Sequence, residues 1–123
     1  MILYHYTDAR GYNGITSTNV LMPSTDAMID AAHGPGHYFT DLSPDMCDRL
    51  IAKHCWRDKF KTDNVRYFLK CDIPVGIPKP CLGQPHVYLV PIGALRNFNL
   101  SDKGPKPNCA LKPCDKCRFD PPA

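Results

Sequence analysis

The stretch HGPGHYFTDLSP, residues 33–44, decides the fold because its conformational preferences change twice within a few residues. Residues 37–40 are aromatic or β-branched for the most part and favour a β-strand. The Gly-Pro-Gly segment before them is typical of a turn, or of a backbone that passes close to a ligand, since glycine has no Cβ. Ser43-Pro44 after them predicts the N-cap and first position of a helix. Tyr38, beside the glycines, is therefore the first candidate functional side chain.

The rest of the chain predicts short strands with few helices. Asp8 is a suitable N-cap for a short helix, and four prolines between residues 74 and 85 exclude a helix there. Several short strands together with one or two helices favour an α+β fold. The predicted strands are 2–6, 37–41, 64–73 and 86–91, with shorter apolar runs at 19–22 and 94–100, and the main helix is 44–57.

Length and composition indicate one globular domain. The chain has 123 residues, of which 43% are hydrophobic, so it is long enough to bury a core. A net charge of +3 is mild and permits an anionic ligand without requiring nucleic acid. All twelve acidic residues are Asp. Any catalytic carboxylate must therefore be an aspartate.

The sequence predicts no membrane partner. No apolar run approaches the roughly 20 residues that a membrane-spanning helix needs. The first ten residues, MILYHYTDAR, also lack the apolar core of a signal peptide.

Cysteine usage leaves three interpretations open. The last three of the seven cysteines form a C-x4-C-x2-C pattern, which supplies three of the four ligands of a structural zinc site. The alternatives are disulfides that hold the C-terminal tail, or unpaired thiols, and an odd count excludes complete pairing within the chain. The seven are Cys47, Cys55, Cys71, Cys81, Cys109, Cys114 and Cys117.

Two motifs in a fixed order resemble the ADP-ribosyltransferase superfamily, most closely its small toxin-type class named for a His-Tyr-Asp signature. In that superfamily a His closes the first strand and is followed closely by Ser or Thr, and a G-x-G-x-Y-F segment comes a few tens of residues later. Here His5-Tyr6-Thr7 matches the first element and GPGHYF, residues 34–39, matches the second. The resemblance covers the first half of the chain well and the remainder only by strand order.

The resemblance implies NAD as a substrate, held in a split core of two small antiparallel sheets with one or two short helices. His5 would hydrogen-bond the ribose of the adenosine half. The backbone of Tyr6 would bind the nicotinamide carboxamide, with Thr7 nearby. Tyr38 would stack on the nicotinamide, and Gly36 would allow the backbone approach that this requires. These residue types suit the ligand, since a flat cationic ring prefers an aromatic face and a carboxamide needs both donors and acceptors.

The third catalytic residue is not obvious. Better-known transferases carry a Glu at the start of a late strand, but the corresponding strand here, which begins near His86, starts without an acid. We predict Asp41, three residues after Tyr38, as the catalytic carboxylate, with Asp72 as the second candidate. If neither reaches the ribose, the protein would bind NAD without turning it over, or His86 would substitute in part. The carboxylate would stabilise the oxocarbenium-like ribose that forms when the glycosidic bond breaks.

We therefore predict an ADP-ribosyltransferase-like NAD-binding domain over residues 1–100. Residues 101–123 would be a Pro/Lys/Cys-rich tail, packed on the domain or trailing from it. The expected reaction transfers ADP-ribose to a protein or nucleic-acid acceptor, or to water as an NAD glycohydrolase. The alternative is a catalytically silent binding module stabilised by its cysteines or by zinc, which the absent late-strand acid favours.

Overall fold

A computed structural model of the chain describes residues 1–18, 36–58, 61–94 and 99–107. These residues form six strands, two α-helices and one short 3-10 helix, which confirms the α+β class. The predicted apolar run at 19–22 lies outside the described residues. In chain order the elements are β1 (Ile2–Thr7), α1 (Ala9–Thr18), β2 (Gly36–Thr40), α2 (Asp48–Trp56), the 3-10 helix (Thr62–Val65), β3 (Tyr67–Asp72), β4 (Lys79–Pro80), β5 (Val87–Pro91) and β6 (Asn99–Pro105).

The strands form one antiparallel sheet in the order β4-β5-β2-β1-β3-β6. β1 pairs with β3 at six positions and β2 pairs with β5 at five. β1 and β2, at the centre, pair at one position only, Tyr4 with Thr40. The structure therefore has one six-stranded sheet where two small sheets were expected, and the two three-stranded halves of this sheet are joined at one residue pair.

The sheet buries both of its faces, because successive side chains of a strand point to opposite sides. One face packs an aliphatic cluster around Phe39, and the other packs the 3-10 helix and α2 against Tyr6. The first cluster consists of Leu3, Phe39, Cys71, Ile73 and Val90, and the second of Tyr6, Leu42, Ile51, Ala52 and Val65.

Helix α1 begins where the sequence predicts. The backbone N–H of Gly11 donates to the Asp8 carboxylate at 2.8 Å, so Asp8 satisfies a donor of the first turn that has no partner within the helix. A Cβ on Gly11 would lie 2.1 Å from the Thr7 hydroxyl. The glycine therefore lets the helix pack tightly against the end of β1.

Helix α2 begins four residues later than predicted. The Met46 N–H donates to the Ser43 carbonyl at 3.0 Å, so Ser43-Pro44 opens a turn and not a helix. Cys47 then has extended backbone angles, and the helix starts only at Asp48. The helix ends at Arg57, whose φ of 57° gives the left-handed conformation typical of helix C-termini.

The later strands also differ in their bounds from the prediction. Residues 62–65 form the 3-10 helix, so β3 begins at Tyr67 and not at residue 64. Strand β6 extends to Pro105, across residue 101 where the composition changes, and the buried side chain of Lys106 forms an ion pair with Asp48. Within the residues that the structure describes, neither helix has the length and apolar character needed to cross a membrane.

Candidate functional site

The candidate site is the unpaired part of the boundary between β1 and β2, which we call the junction: residues 5–7 of β1 and 36–38 of β2. The His5 side chain crosses it, with Nδ1 3.0 Å from the carbonyl oxygen of Tyr38. A carbonyl only accepts, so Nδ1 carries the proton and Nε2 is left as an acceptor. A side chain therefore occupies the position that a backbone ladder bond would otherwise fill.

Hydrogen bonds at the ends of β1 and β2 show towards which neighbouring strand each backbone N–H and C=O group points. The Ile73 N–H donates to the Met1 carbonyl at 2.8 Å, and the Asp41 N–H donates to the His86 carbonyl at 3.3 Å. The backbone groups of odd-numbered residues therefore bond to β3 in the case of β1 and to β5 in the case of β2. Because the N–H and C=O groups of successive residues point to opposite edges of a strand, those of the even-numbered residues of β1 and β2 point towards each other.

The junction consequently places backbone groups of Tyr6 opposite β2, beyond the last ladder pair. Across the boundary the ladder contains only the pair Tyr4–Thr40, so among the described strands the N–H and C=O of Tyr6 face β2 without a ladder partner. The Tyr38 carbonyl faces them and accepts from His5. The arrangement presents one donor and one acceptor side by side, which is what a carboxamide needs.

His5 acts as a neutral hydrogen-bonding group. Burial lowers its pKa, a tendency that the hydrogen bond to Tyr38 opposes and nearby His37 reinforces. The ring meets Phe39 edge-on, with the ring centroids 6.0 Å apart. The uncharged imidazole can therefore accept a hydrogen bond from a hydroxyl group through Nε2.

The two tyrosines of the predicted site have different roles. The Tyr6 hydroxyl donates to the Leu42 carbonyl at 2.6 Å in the core, and burial raises its pKa strongly. Its side chain is thus structural, and only its backbone is available. Tyr38 is half-buried and, by strand alternation, lies on the face opposite to Phe39 and the His5 ring. His5 therefore contacts the Tyr38 backbone and not its ring.

Gly36 is required by the neighbouring strand. A Cβ at this position would lie 2.5 Å from the Val90 carbonyl oxygen and 3.1 Å from the Cα of Pro91. The missing Cβ thus permits a close contact with β5, and the expected approach of the backbone to a ligand at Gly36 stays a prediction. The other glycine of the motif, Gly34, lies outside the described residues.

Asp41 lies beside the start of β5, about 10 Å along the sheet from Tyr38 at the spacing of extended residues, so the structure does not bring these two side chains into contact. Its carboxylate lies 2.8 Å from His86 Nδ1, and it accepts from the Tyr88 hydroxyl at 3.2 Å. Burial, together with the charge of Asp41, raises the pKa of Tyr88, so this hydroxyl remains a donor. Sequence reasoning named His86 only as a partial substitute and missed this pairing, whose one signal was the position of His86 at the strand start.

Asp72, the second candidate, lies away from the junction. It pairs with Ile2 on β1, three residues and about 10 Å from His5. Its carboxylate is 3.1 Å from the Met1 amino group, and its side chain is 54% exposed. The structure therefore does not bring Asp72 together with His5 or Tyr38.

The cysteines of the described residues do not form a reactive or metal-binding group. Burial raises the pKa of Cys55 and of Cys71 to about 12, so both thiols stay protonated. Cys47 is disulfide-bonded, while Cys55, Cys71 and Cys81 are free. In the described part of the chain, no three His, Cys or Asp side chains are placed to hold a metal ion. The three tail cysteines of the predicted zinc site lie outside the described residues.

Comparison with known proteins gives one match. No curated protein and no solved structure matches the chain. The family described as HYD1 signature containing ADP-ribosyltransferase matches residues 3–77, which is more than half of the chain and extends from β1 to just beyond β3. The match contains both motifs of the junction and Asp41. The chain therefore belongs to the family of ADP-ribosyltransferases that contain the HYD1 signature.

Proposed function

We propose that the protein is an NAD-dependent ADP-ribosyltransferase, which breaks the bond between nicotinamide and ribose. ADP-ribose would pass to a protein or nucleic-acid acceptor, or to water when the protein acts as an NAD glycohydrolase. Family membership supports the reaction class. The observation that carries the proposal is the junction, where the ladder stops after one pair and His5 reaches the Tyr38 carbonyl.

The junction offers groups for both halves of NAD. The N–H and C=O of Tyr6, which face β2 beyond the last ladder pair, would bind the carboxamide, and the half-buried ring of Tyr38 would stack on the nicotinamide. His5 would accept a hydrogen bond from a hydroxyl of the adenosine ribose through Nε2, on the opposite face. The dinucleotide would thus pass between the two half-sheets. Thr7 and Gly36 would line the junction beside these groups.

Asp41 is the proposed catalytic carboxylate. The pairing of β2 with β5 brings it to the start of the late strand, where better-known transferases carry a Glu. Its negative charge would stabilise the oxocarbenium-like ribose. The contacts with His86 and Tyr88 hold both of its oxygens in a fixed position. Asp41, which follows β2, would thereby take the place of the acid that β5 itself lacks.

The test is nicotinamide release from NAD by the purified, oxidised chain, compared with Tyr38→Ala and Tyr38→Phe. We expect release by the wild type, a loss of at least about tenfold in Tyr38→Ala, and near-normal release by Tyr38→Phe, which keeps the ring that stacks. Tyr4→Ala is the matched control, since Tyr4 is also half-buried on the same face but lies at the paired end. His5→Ala should weaken NAD binding with the fold retained.

Circular dichroism and thermal unfolding of each variant separate lost chemistry from lost folding. If Tyr38→Ala and His5→Ala both unfold, these residues are core residues and the site is misplaced. If the wild type neither releases nicotinamide nor gains thermal stability with NAD, the proposal is refuted. The catalytically silent module stabilised by cysteines would then be the better account.

A further inference from the structure

The backbone of His86 adopts a conformation that few residues other than glycine adopt. Its φ is 67°, which is uncommon for a residue with a Cβ and carries a conformational cost. Arg57 also has a positive φ, but it occupies the C-terminal cap of α2, where this conformation is usual. His86 lies in no such cap.

The surrounding turn holds His86 in this conformation. The Val87 N–H donates to the Gln84 carbonyl at 3.3 Å, directly after His86. The Gln84 side-chain amide in turn donates to the carbonyls of His54 and Cys55, at 2.9 and 3.1 Å, at the end of α2. The turn is therefore fixed to the helix, and the conformation of His86 is determined by its neighbours.

The side chain of His86 is oriented on two sides. Asp41 lies 2.8 Å from Nδ1, and the ring of His54 packs edge-on at a centroid distance of 5.0 Å. A carboxylate at this distance accepts, so Nδ1 carries a proton, and in the neutral form of the ring the lone pair is on Nε2. The side chain of His86 is 46% exposed, so this nitrogen belongs to a ring that solvent and a substrate can reach.

A carboxylate that fixes the tautomer of an imidazole is the arrangement by which proteins prepare a histidine as a base. The Tyr88 hydroxyl fixes the second oxygen of Asp41, which makes the order Tyr88–Asp41–His86 a connected chain. Glycine adopts the same φ without steric cost, so what the histidine adds at this point is its imidazole, which contacts Asp41 and His54.

We propose that His86 is the general base that removes the proton from the acceptor, and that Tyr88 and His54 are positioning residues for it. This inference rests on the proposed function. The nucleophilic atom of the acceptor forms a bond to the anomeric carbon of the ribose while the bond from that carbon to nicotinamide breaks. Nicotinamide leaves neutral with the electron pair of the broken bond, and the proton of the nucleophile passes to Nε2 of His86 and then to solvent.

The inference defines the acceptor class. A base is useful only if the nucleophile has a proton to lose, as hydroxyl, thiol and N–H groups and water do, whereas a carboxylate acceptor would need none. We therefore infer that the acceptor is a nucleophile that carries a removable proton and not a carboxylate, with water as the acceptor in the glycohydrolase reaction.

The test uses His86→Gly, which removes the imidazole and at the same time relieves the positive φ. We expect an unchanged or higher melting temperature, with nicotinamide release lowered about 10²- to 10⁴-fold, the usual contribution of general acid–base catalysis. Azide, an anion that needs no deprotonation, should restore release by this variant and give an ADP-ribosyl azide detectable by mass spectrometry. Arg57→Gly is the matched control, because it relieves a positive φ outside the site and should leave release unchanged.

Other results of these experiments would contradict the role of His86. Release by His86→Gly within about twofold of wild type would refute the role of His86 while leaving the proposed function intact. A loss that azide does not restore would show that His86 only positions Asp41, which also refutes the inference. Asp41→Asn should not be rescued by azide, because its carboxylate stabilises the ribose. If the wild type itself releases no nicotinamide, the proposed function fails and the inference falls with it.

Discussion

The two ends of the boundary between β1 and β2 differ in how they are held together. At one end the backbones pair through Tyr4 and Thr40, and Asp41 follows in contact with His86. At the other end the ladder is absent, and the side chain of His5 holds the Tyr38 carbonyl. In the proposed reaction the paired end would hold the charged groups, whereas the junction would offer backbone donors and acceptors to NAD. Binding and reacting groups would thus occupy different ends of one boundary.

The largest expected effect on turnover that distinguishes the two ends comes from a substitution at the paired end. Asp41→Asn removes the carboxylate charge but keeps the shape, so kcat should fall about 10²- to 10³-fold, as when a preorganised electrostatic group is removed. The KM for NAD should change little, since the binding groups lie at the junction. The measurement is steady-state nicotinamide release over a range of NAD concentrations.

Asp72→Asn is the matched control for this experiment. It neutralises an aspartate that also ends a central strand, but one placed about 10 Å from His5. Its kcat should stay within about twofold of the wild type. If Asp72→Asn lost activity while Asp41→Asn kept it, the catalytic carboxylate would have to be reassigned.

Local sequence signals predicted the junction better than the paired end. β1, the Asp8 cap and β2 depend on residues adjacent in sequence, and the structure has all three. The Ser43-Pro44 prediction failed because a turn and a helix start use the same residue types, and only the extended backbone of Cys47 separates them.

The contact between Asp41 and His86 could not be predicted from either segment. The two residues are 45 positions apart in sequence, and they meet because Thr40 pairs with Val87 in the β2–β5 register. A shift of one residue in that register would point Asp41 to the other face of the sheet. Both candidate residues can be identified in the sequence, but the β2–β5 register that brings them into contact depends on packing along the whole of β5.

A smaller effect, on stability and not on catalysis, should come from Gly36→Ala. The new Cβ would lie 2.5 Å from the Val90 carbonyl, and backbone has little room to yield, so we expect a loss of about 1–3 kcal/mol of unfolding free energy. Gly14→Ala is the matched control, since nothing lies within 4 Å of its Cβ position, and a helical alanine should stabilise by about 0.5–1 kcal/mol. Urea unfolding of both variants measures the two effects. An unaltered Gly36→Ala protein would mean that β2 and β5 approach less closely than described.

The smallest effect concerns the pH dependence of stability and isolates the junction. Burial lowers the pKa of His5 below its ordinary value of 6.5, so the unfolded state takes up a proton at a higher pH than the folded state does. Stability is then complete above this value and is lost as the pH falls through 6.5, by at most about 1.4 kcal/mol per pH unit for one proton. His5→Gln keeps a donor for the Tyr38 carbonyl but does not titrate, so its unfolding free energy should fall less steeply between pH values of about 7 and about 5. Urea unfolding at several pH values measures both slopes, and the aspartates contribute equally to the two proteins. Parallel slopes would show that His5 is as well solvated as in the unfolded chain, and the junction would then lack the neutral imidazole that the proposed binding of the ribose requires.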